Sequence, residues 1–300
     1  YSSCQFMEKL IACPSYNYCD VYGSPVKSFP YYIATGYHRL KSTCKTTYQS
    51  SDSIVEKSVF AYDTERPYNI ISKSSLCSGG AEQVERTYYS NNTIPDKESL
   101  TTSQRSAIQL LTSRNYLTTP VQQTMEKKDK RLYSVLRGYS SSLSSGMVVE
   151  DQYYCKGTDK YEKRISYNKY DIYGNPVYIN KDGAEKVVYL WGYKGQYLLA
   201  EIKGATYDEV KKALMVDPAS MSSCILPSMP LYLDMIDNLY KALPSALITS
   251  YTYHPLIGIS GIISPNKAKT TFEYNSDSQL IRIKDTEGKT MEEYQYHFRP

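Results

Sequence analysis

At 300 residues the chain is long enough to bury a sizeable core and to hold one large domain or two ordinary ones. A mean hydropathy of −0.50, with no apolar run approaching membrane-span length, excludes a spanning helix. The net charge is +4, and its lysines and arginines are scattered, so there is no basic stripe of the kind that binds nucleic acid.

The predicted elements start in a polar, Ser/Thr-rich first half. Thr46 and Tyr48 lead into Ser50-Ser51-Asp52-Ser53, followed by Val55, Val59 and Phe60-Ala61-Tyr62, which reads as a hairpin around a Ser/Asp turn. Val84, Arg86 and Tyr88 alternate with Glu85, Thr87 and Tyr89 in a further strand. Leu100, Ala107, Ile108 and Leu111 then recur at helical spacing, and Asp96 is the expected cap of a helix over 97–113. Val121–Met125 and Arg131–Leu136 bracket a charged turn at Lys127-Lys128-Asp129-Lys130. The serines of 140–145 read as a loop and as the boundary between a divergent β-hairpin region, 1–145, and a more regular region, 146–300.

In that second region Val148–Cys155 and Tyr161–Tyr167 flank a turn at Lys156-Gly157-Thr158-Asp159. Val177 and Ile179 lead through Lys181-Asp182-Gly183 to Val187, Tyr189, Trp191 and Tyr193, whose period-2 spacing assigns that set to the buried face of a strand. Thr206 and Glu209 form a capping box before Val210, Ala213 and Leu214, predicting a helix over 206–214. Leu231, Met235, Leu239 and Leu243 predict a second, amphipathic helix over 230–243, opened by Pro230 and stopped by Pro244. Such helices ordinarily cover a sheet face or edge.

One spacing recurs. Tyr251 and Tyr253 lead through Asn266 to Phe272 and Tyr274, and these lead through Gly288 to Tyr294 and Tyr296. Tyr170 leads in the same way through Gly183 to Tyr189 and Trp191. A unit of about 20 residues is the signature of stacked supersecondary elements, here β-hairpins, and favours a scaffold over a single catalytic pocket. The composition, 33 Tyr against 5 Phe and 1 Trp, suits strands with one packed and one wet face. It is also compatible with a tyrosine surface that stacks on sugars or peptides.

Chemistry-bearing patterns are sparse. There is no Walker loop, G-x-G-x-x-G, G-x-S-x-G or H-E-x-x-H. His38, His254 and His297 are far apart, and Asp171, Asp182 and Asp285 sit in or beside turns, where carboxylates bond local amides. Trp191 belongs to an apolar alternation and is expected in the core. Seven cysteines (Cys4, Cys13, Cys19, Cys44, Cys77, Cys155, Cys224) show no zinc-like spacing and read as buried thiols, with a disulfide among the first three left open. Asn91-Asn92-Thr93 matches a short glycosylation acceptor pattern. No catalytic residue, metal site or cofactor is implied.

Tyr170-Asp171-Ile172-Tyr173-Gly174-Asn175-Pro176-Val177 resembles the Tyr-Asp signature of rearrangement-hotspot (RHS), or YD-repeat, proteins, and Tyr22-Gly23-Ser24-Pro25-Val26 echoes its second half. Tyr189–Tyr193 through Ala200-Glu201-Ile202, Tyr251–Gly258, and the last repeat from Phe272 to His297 resemble RHS-repeat proteins of the Bacteroidetes type. The resemblance covers 165–300 and is fainter before. Asn275 and Ser278 replace the expected Asp and Gly, which predicts a different or longer turn there. The core motif with an Asp-Pro self-cleavage site in toxin-bearing members is absent, and Asp217-Pro218 reads as a helix end.

The resulting expectation is a mainly β protein: an open, curved antiparallel sheet of successive YD-type hairpins with two or three flanking α-helices. The repeat-signature residues are Tyr170, Asp171, Gly174, Asn175, Gly183, Tyr189, Trp191, Tyr253, Tyr274, Gly288, Tyr294 and Tyr296. The resemblance implies a secreted or cell-surface protein and a non-enzymatic shell or scaffold around another domain. Its partners would be neighbouring repeats or a C-terminal cargo domain, with a glycan or protein ligand as the alternative. The sequence reads as a piece of a longer polypeptide, whose open sheet edges are expected to self-associate.

Overall fold

The computed structural model describes residues 38–49, 52–66, 68–76, 80–143, 146–223 and 229–297. They form a mainly antiparallel β protein with one open sheet of 16 strands, each strand beside its sequence neighbours. The chain divides into two compact units, 1–88 with 123–134 and 89–122 with 135–300.

The first unit starts with β1 (Ser42–Gln49), β2 (Asp52–Tyr62), β3 (Ile70–Leu76) and most of β4 (Glu82–Tyr89). Register is unbroken from Ser42 opposite Val59 to Gln49 opposite Asp52, as the hairpin reading predicts, although Ser50 and Ser51 of the turn lie outside the described residues. β5 (Pro120–Lys127) and β6 (Lys130–Leu143) meet at the predicted Lys128-Asp129 turn, where both residues are left-handed. Strand β6 corrects the expected loop at 140–145: 140–143 continue the strand, while Ser144 and Ser145 lie outside the described residues. Serine's weak strand preference yields to the pairing of the strand it extends.

The second unit contains α1 (Thr102–Ser113), with a short helical turn at Lys97–Ser99 before it. The cap is Thr101, not Asp96. Thr101 Oγ1 accepts the Gln104 amide and Gln104 Oε1 accepts the Thr101 amide, each at 3.2 Å. Asp96 instead meets Gln122 and Tyr161, whose hydroxyl donates to Asp96 Oδ2 at 2.9 Å. Gln104 also fastens the helix to the sheet through β7 (Gly146–Lys156). Its Nε2 donates to Glu150 Oε2 and Asp151 Oδ2, both at 3.0 Å. Gly138 makes room: a Cβ there would lie 2.4 Å from Gln104 Cδ.

Next come β8 (Glu162–Tyr170), β9 (Pro176–Lys181), β10 (Glu185–Gly192) and β11 (Tyr197–Lys203). Strand β10 is covered on both faces. Val187 is fully buried with Tyr189 and Trp191 half-buried beside it, but the larger core is built from the opposite side, Val188 and Leu190. The expected face is therefore the lesser one, because α2 (Tyr207–Leu214) and α3 (Met229–Ala242) pack on the other. Val210, Ile236 and Leu239 join Val188, Leu190, Ala200 and Ile202 there, with Met235 and Leu243 against the margin. The side chain of Leu231 lies outside those described. The Thr206–Glu209 capping box forms as predicted. Asp217 then holds the following chain by accepting the Lys211 ammonium at 2.9 Å, the Ala219 amide and the Tyr207 hydroxyl. Burial opposes its charge, but these bonds prevail and hold its carboxyl below the usual range.

The sheet finishes with β12 (Leu247–His254), β13 (Gly258–Ile263), β14 (Lys269–Tyr274), β15 (Leu280–Lys284) and β16 (Thr290–Glu293). The Tyr240 hydroxyl of α3 lies within hydrogen-bond reach of the Ile248 and Ser264 carbonyls (2.9 and 3.1 Å), clamping the helix across β12 and the turn after β13.

Candidate functional site

The recurring aromatic residues converge on one contact. A ring near the end of an even-numbered strand donates to a main-chain carbonyl at or near the start of the preceding odd-numbered strand. Tyr253 of β12 donates to Leu198 O of β11 at 2.8 Å, and Tyr274 of β14 to Ile259 O of β13 at 2.9 Å. Tyr296, just past β16, donates to Leu280 O of β15 at 2.8 Å. Tyr170 reaches Val149 O of β7 from β8, and Trp191 of β10 offers its indole N–H to Pro176 O at 2.8 Å. Two further ties fall outside the sequence spacing: Tyr139 of β6 to Pro120 O (2.8 Å) and Tyr62 of β2 to Leu40 O (2.9 Å).

The local backbone explains the aim. Register slips between Ala61 and Tyr62, Lys169 and Tyr170, Leu190 and Trp191, Thr252 and Tyr253, and Glu273 and Tyr274. A bulge bends its strand and re-aims the side chain at that point. Here it falls just before the tying aromatic, on the ladder to the next strand. A glycine completes the fit at Tyr274, because a Cβ on Gly258 would lie 2.6 Å from its hydroxyl oxygen.

A second device closes the turns. Asp171 Oδ1 accepts the amides of Tyr173 and Asn175 (2.9 and 2.8 Å), while its own N–H donates to Asn175 O at 3.0 Å. Asn275 makes the same cage with Asp277 and Gln279, and Asp285 with Glu287 and Lys289. The fourth residue of each is left-handed: Gly174 (φ +86°), Ser278 (φ +62°) and Gly288 (φ +81°). The expected change of turn type at Ser278 does not occur, since the side-chain cage imposes the conformation that glycine would adopt freely. Asp182 differs from Asp171 and Asp285 in pairing with Arg164 at 3.0 Å. It forms a two-residue left-handed hairpin turn with Gly183 (φ +48° and +72°). In the Asn266 turn the left-handed residue is the next one, Lys267 (φ +65°), so the fixed turn-to-aromatic spacing read from the sequence belongs to Asn266 itself and not to the backbone conformation.

Asn175 links two turns: its Nδ2 donates to Asp171 Oδ2 (3.0 Å) and to Gly195 O (2.8 Å). Tyr189 is half-buried, and burial together with Glu201 pushes its hydroxyl up to about 12. Tyr294 lies near the surface, donating to Glu292. Trp191, expected in the core, is half-buried by virtue of its tie.

These groups are occupied with their own backbone. Tyr193, Tyr197 and Tyr253 meet at 4.6–6.4 Å with interplanar angles of 38–78°, crossing rather than presenting a flat stacking platform. His254 stands edge-on to Tyr274 at 6.3 Å, beside a half-open groove of about 550 Å³ lined by Thr252, Gly261, Lys269 and Glu273. Among the described residues no three His, Cys, Asp or Glu side chains converge as metal ligands. Cys155 is buried with its thiol on the Asp159 carbonyl, and Cys44 is exposed. Cys4, Cys13, Cys19, Cys77 and Cys224, like Tyr22–Val26, lie outside the described residues.

No family model and no curated protein matches the sequence. Similar solved structures include TcdB2-TccC3-Cdc42, at 12% identity and a TM-score of 0.32, covering 77% of this chain and 12% of that one. TcdB2-TccC3 without its hypervariable C-terminal region is 8% identical with a TM-score of 0.32, covering 83% and 16%. A Photorhabdus luminescens Tc holotoxin pore carrying a TccC3 mutation is 11% identical with a TM-score of 0.31, covering 77% and 12%. The chain thus spans only 12–16% of the length of these proteins. Similarity at this level assigns neither family nor activity.

Proposed function

We propose that the chain is a non-enzymatic structural segment of a larger RHS-repeat protein, secreted or held at the cell surface, whose β-scaffold encloses or displays another domain. The aromatic tie supports this reading. It recurs from Tyr62 to Tyr296, and each instance directs a side-chain donor to the protein's own main chain. Strands in sequence order add one beside another, so the unit extends without needing distant residues to meet. The secreted setting, the enclosed domain and the Bacteroidetes-type affiliation rest on the sequence resemblance alone.

The test is limited proteolysis of the product of the complete reading frame. An enclosing scaffold predicts a further domain that resists protease in the full-length protein and is cut when produced alone. Equal susceptibility in both would sink the reading. Specific glycan binding abolished by Tyr→Ala changes would favour the ligand-binding alternative.

A further inference from the structure

With 33 tyrosines against 7 cysteines and 1 tryptophan, phenol is the most abundant oxidisable group of the chain. Two phenols can join through ring carbons only where the rings are close and their π faces overlap. Tyr197, which opens β11, and Tyr253, near the end of β12, meet both conditions, with centroids 4.6 Å apart and planes inclined at 38°. Tyr193 touches the same pair edge to face, 5.0 Å and 78° from Tyr197 and 6.4 Å and 77° from Tyr253, so its π orbitals stand nearly perpendicular to theirs. Tyr167 and Tyr170 lie nearly parallel at 21° but 6.1 Å apart, and Tyr178 and Tyr207 are 6.0 Å apart at 47°. Among the described residues, the pair Tyr197–Tyr253 alone combines nearness with overlap.

Both rings are held at their hydroxyl ends. Tyr253 donates to Leu198 O at 2.8 Å, next in the chain to Tyr197, and the Leu256 amide donates to the Tyr197 hydroxyl at 3.2 Å. The register slip between Thr252 and Tyr253 aims one ring. Left-handed Tyr193, Lys194 and Gly195 (φ +53°, +57° and +74°) turn the chain back so that Tyr197 stands opposite Gly192, which places the other. Both rings are half-buried. As an acceptor from Leu256, the Tyr197 hydroxyl retains a proton that it can release, whereas that of Tyr253 is committed to a carbonyl.

We infer that Tyr197 and Tyr253 are a site of oxidative cross-linking, joined as dityrosine by a one-electron oxidant of the class that peroxidases generate from hydrogen peroxide. Each phenol loses one electron and one proton. A bond then forms between one carbon of each ring, ortho to its oxygen, and the hydrogens at that bond pass to the oxygens, restoring both phenols. One hydrogen peroxide takes up the two electrons and two protons as two waters. The link ties β11 to β12 and closes the stretch that carries α2 and α3, restricting the unfolded chain as a disulfide does.

Brief irradiation of the 300-residue chain with tris(bipyridine)ruthenium and persulfate tests this, persulfate taking the electrons as sulfate. The monomer fraction is then digested with trypsin and read by mass spectrometry. The expected product joins peptide 195–203 to peptide 242–267 with the loss of two hydrogens, and its fragments place the link on Tyr253 and not on Tyr251. Its yield should fall at least about tenfold when the chain is irradiated in concentrated urea, because the fold supplies the proximity. Tyr197→Phe should abolish the product, and Tyr193→Phe, which changes a touching ring outside the pair, should leave it. A wild-type monomer without this link, an equal yield in urea, or a Tyr193–Tyr197 link of equal abundance would overturn the proposal.

Discussion

A tyrosine hydroxyl placed on a main-chain carbonyl is a small interaction, and its repetition here makes it structural. Tyr253→Phe removes only the donor to Leu198 O and should cost about 1 kcal/mol in denaturant unfolding. Exposed Tyr116 is the control, and its Phe variant should fall within about 0.5 kcal/mol of wild type. Gly258→Ala should destabilise by crowding the Tyr274 hydroxyl, and much less so in a Tyr274→Phe background; equal costs in both backgrounds would refute that packing. Burial, with neighbouring Tyr251, Tyr193 and Tyr197 adding to it, pushes the Tyr253 hydroxyl up to about 12, and burial does the same to Tyr139. Because these folded-state values lie above the ordinary 10.0, the contribution is complete below about pH 10 and is lost as pH rises towards 12. Phenolate absorbance should therefore show a late-ionising class, and circular dichroism should report unfolding with it.

Among the elements, strands and turns are the legible part. Alternation bounded by Gly, Asp and Asn locates the hairpins at 46–62, 121–136 and 148–167, because short-range turn chemistry fixes register. The tying function of the aromatics is not legible, since it depends on bulges placed at strand ends, where too few residues follow for the shift of phase to show in the alternation. The cap of α1 is legible in the spacing from Thr101 to Gln104, although Asp96 is the more conspicuous capping residue upstream. What that spacing does not disclose is the second duty of Gln104, which closes the box and also reaches Asp151 on a distant strand. Thr101→Ala should cost about 1 kcal/mol, whereas Asp96→Ala should leave helix capping untouched while disturbing the Tyr161 and Gln122 contacts. Far-ultraviolet dichroism during thermal melting would compare the two.

For the whole molecule, the recurring sequence spacing and the structure give the same architecture at different depth. The spacing identifies a repeating unit, and the structure shows what repeats: a strand pair and an aromatic donor, with a bulge before five of these donors and a caged turn after Tyr170 and Tyr274. What the sheet carries is read from resemblance, because no side-chain constellation among the described residues points to a substrate. An array held together by neighbour contacts should respond locally to local damage, unlike a globule with one indivisible core. Hydrogen exchange followed by mass spectrometry on Tyr274→Phe tests that most directly. The account predicts faster exchange in β13, β14 and β15, with protection of β7, β8 and β9 unchanged. Uniform loss of protection across both sets of strands would contradict it.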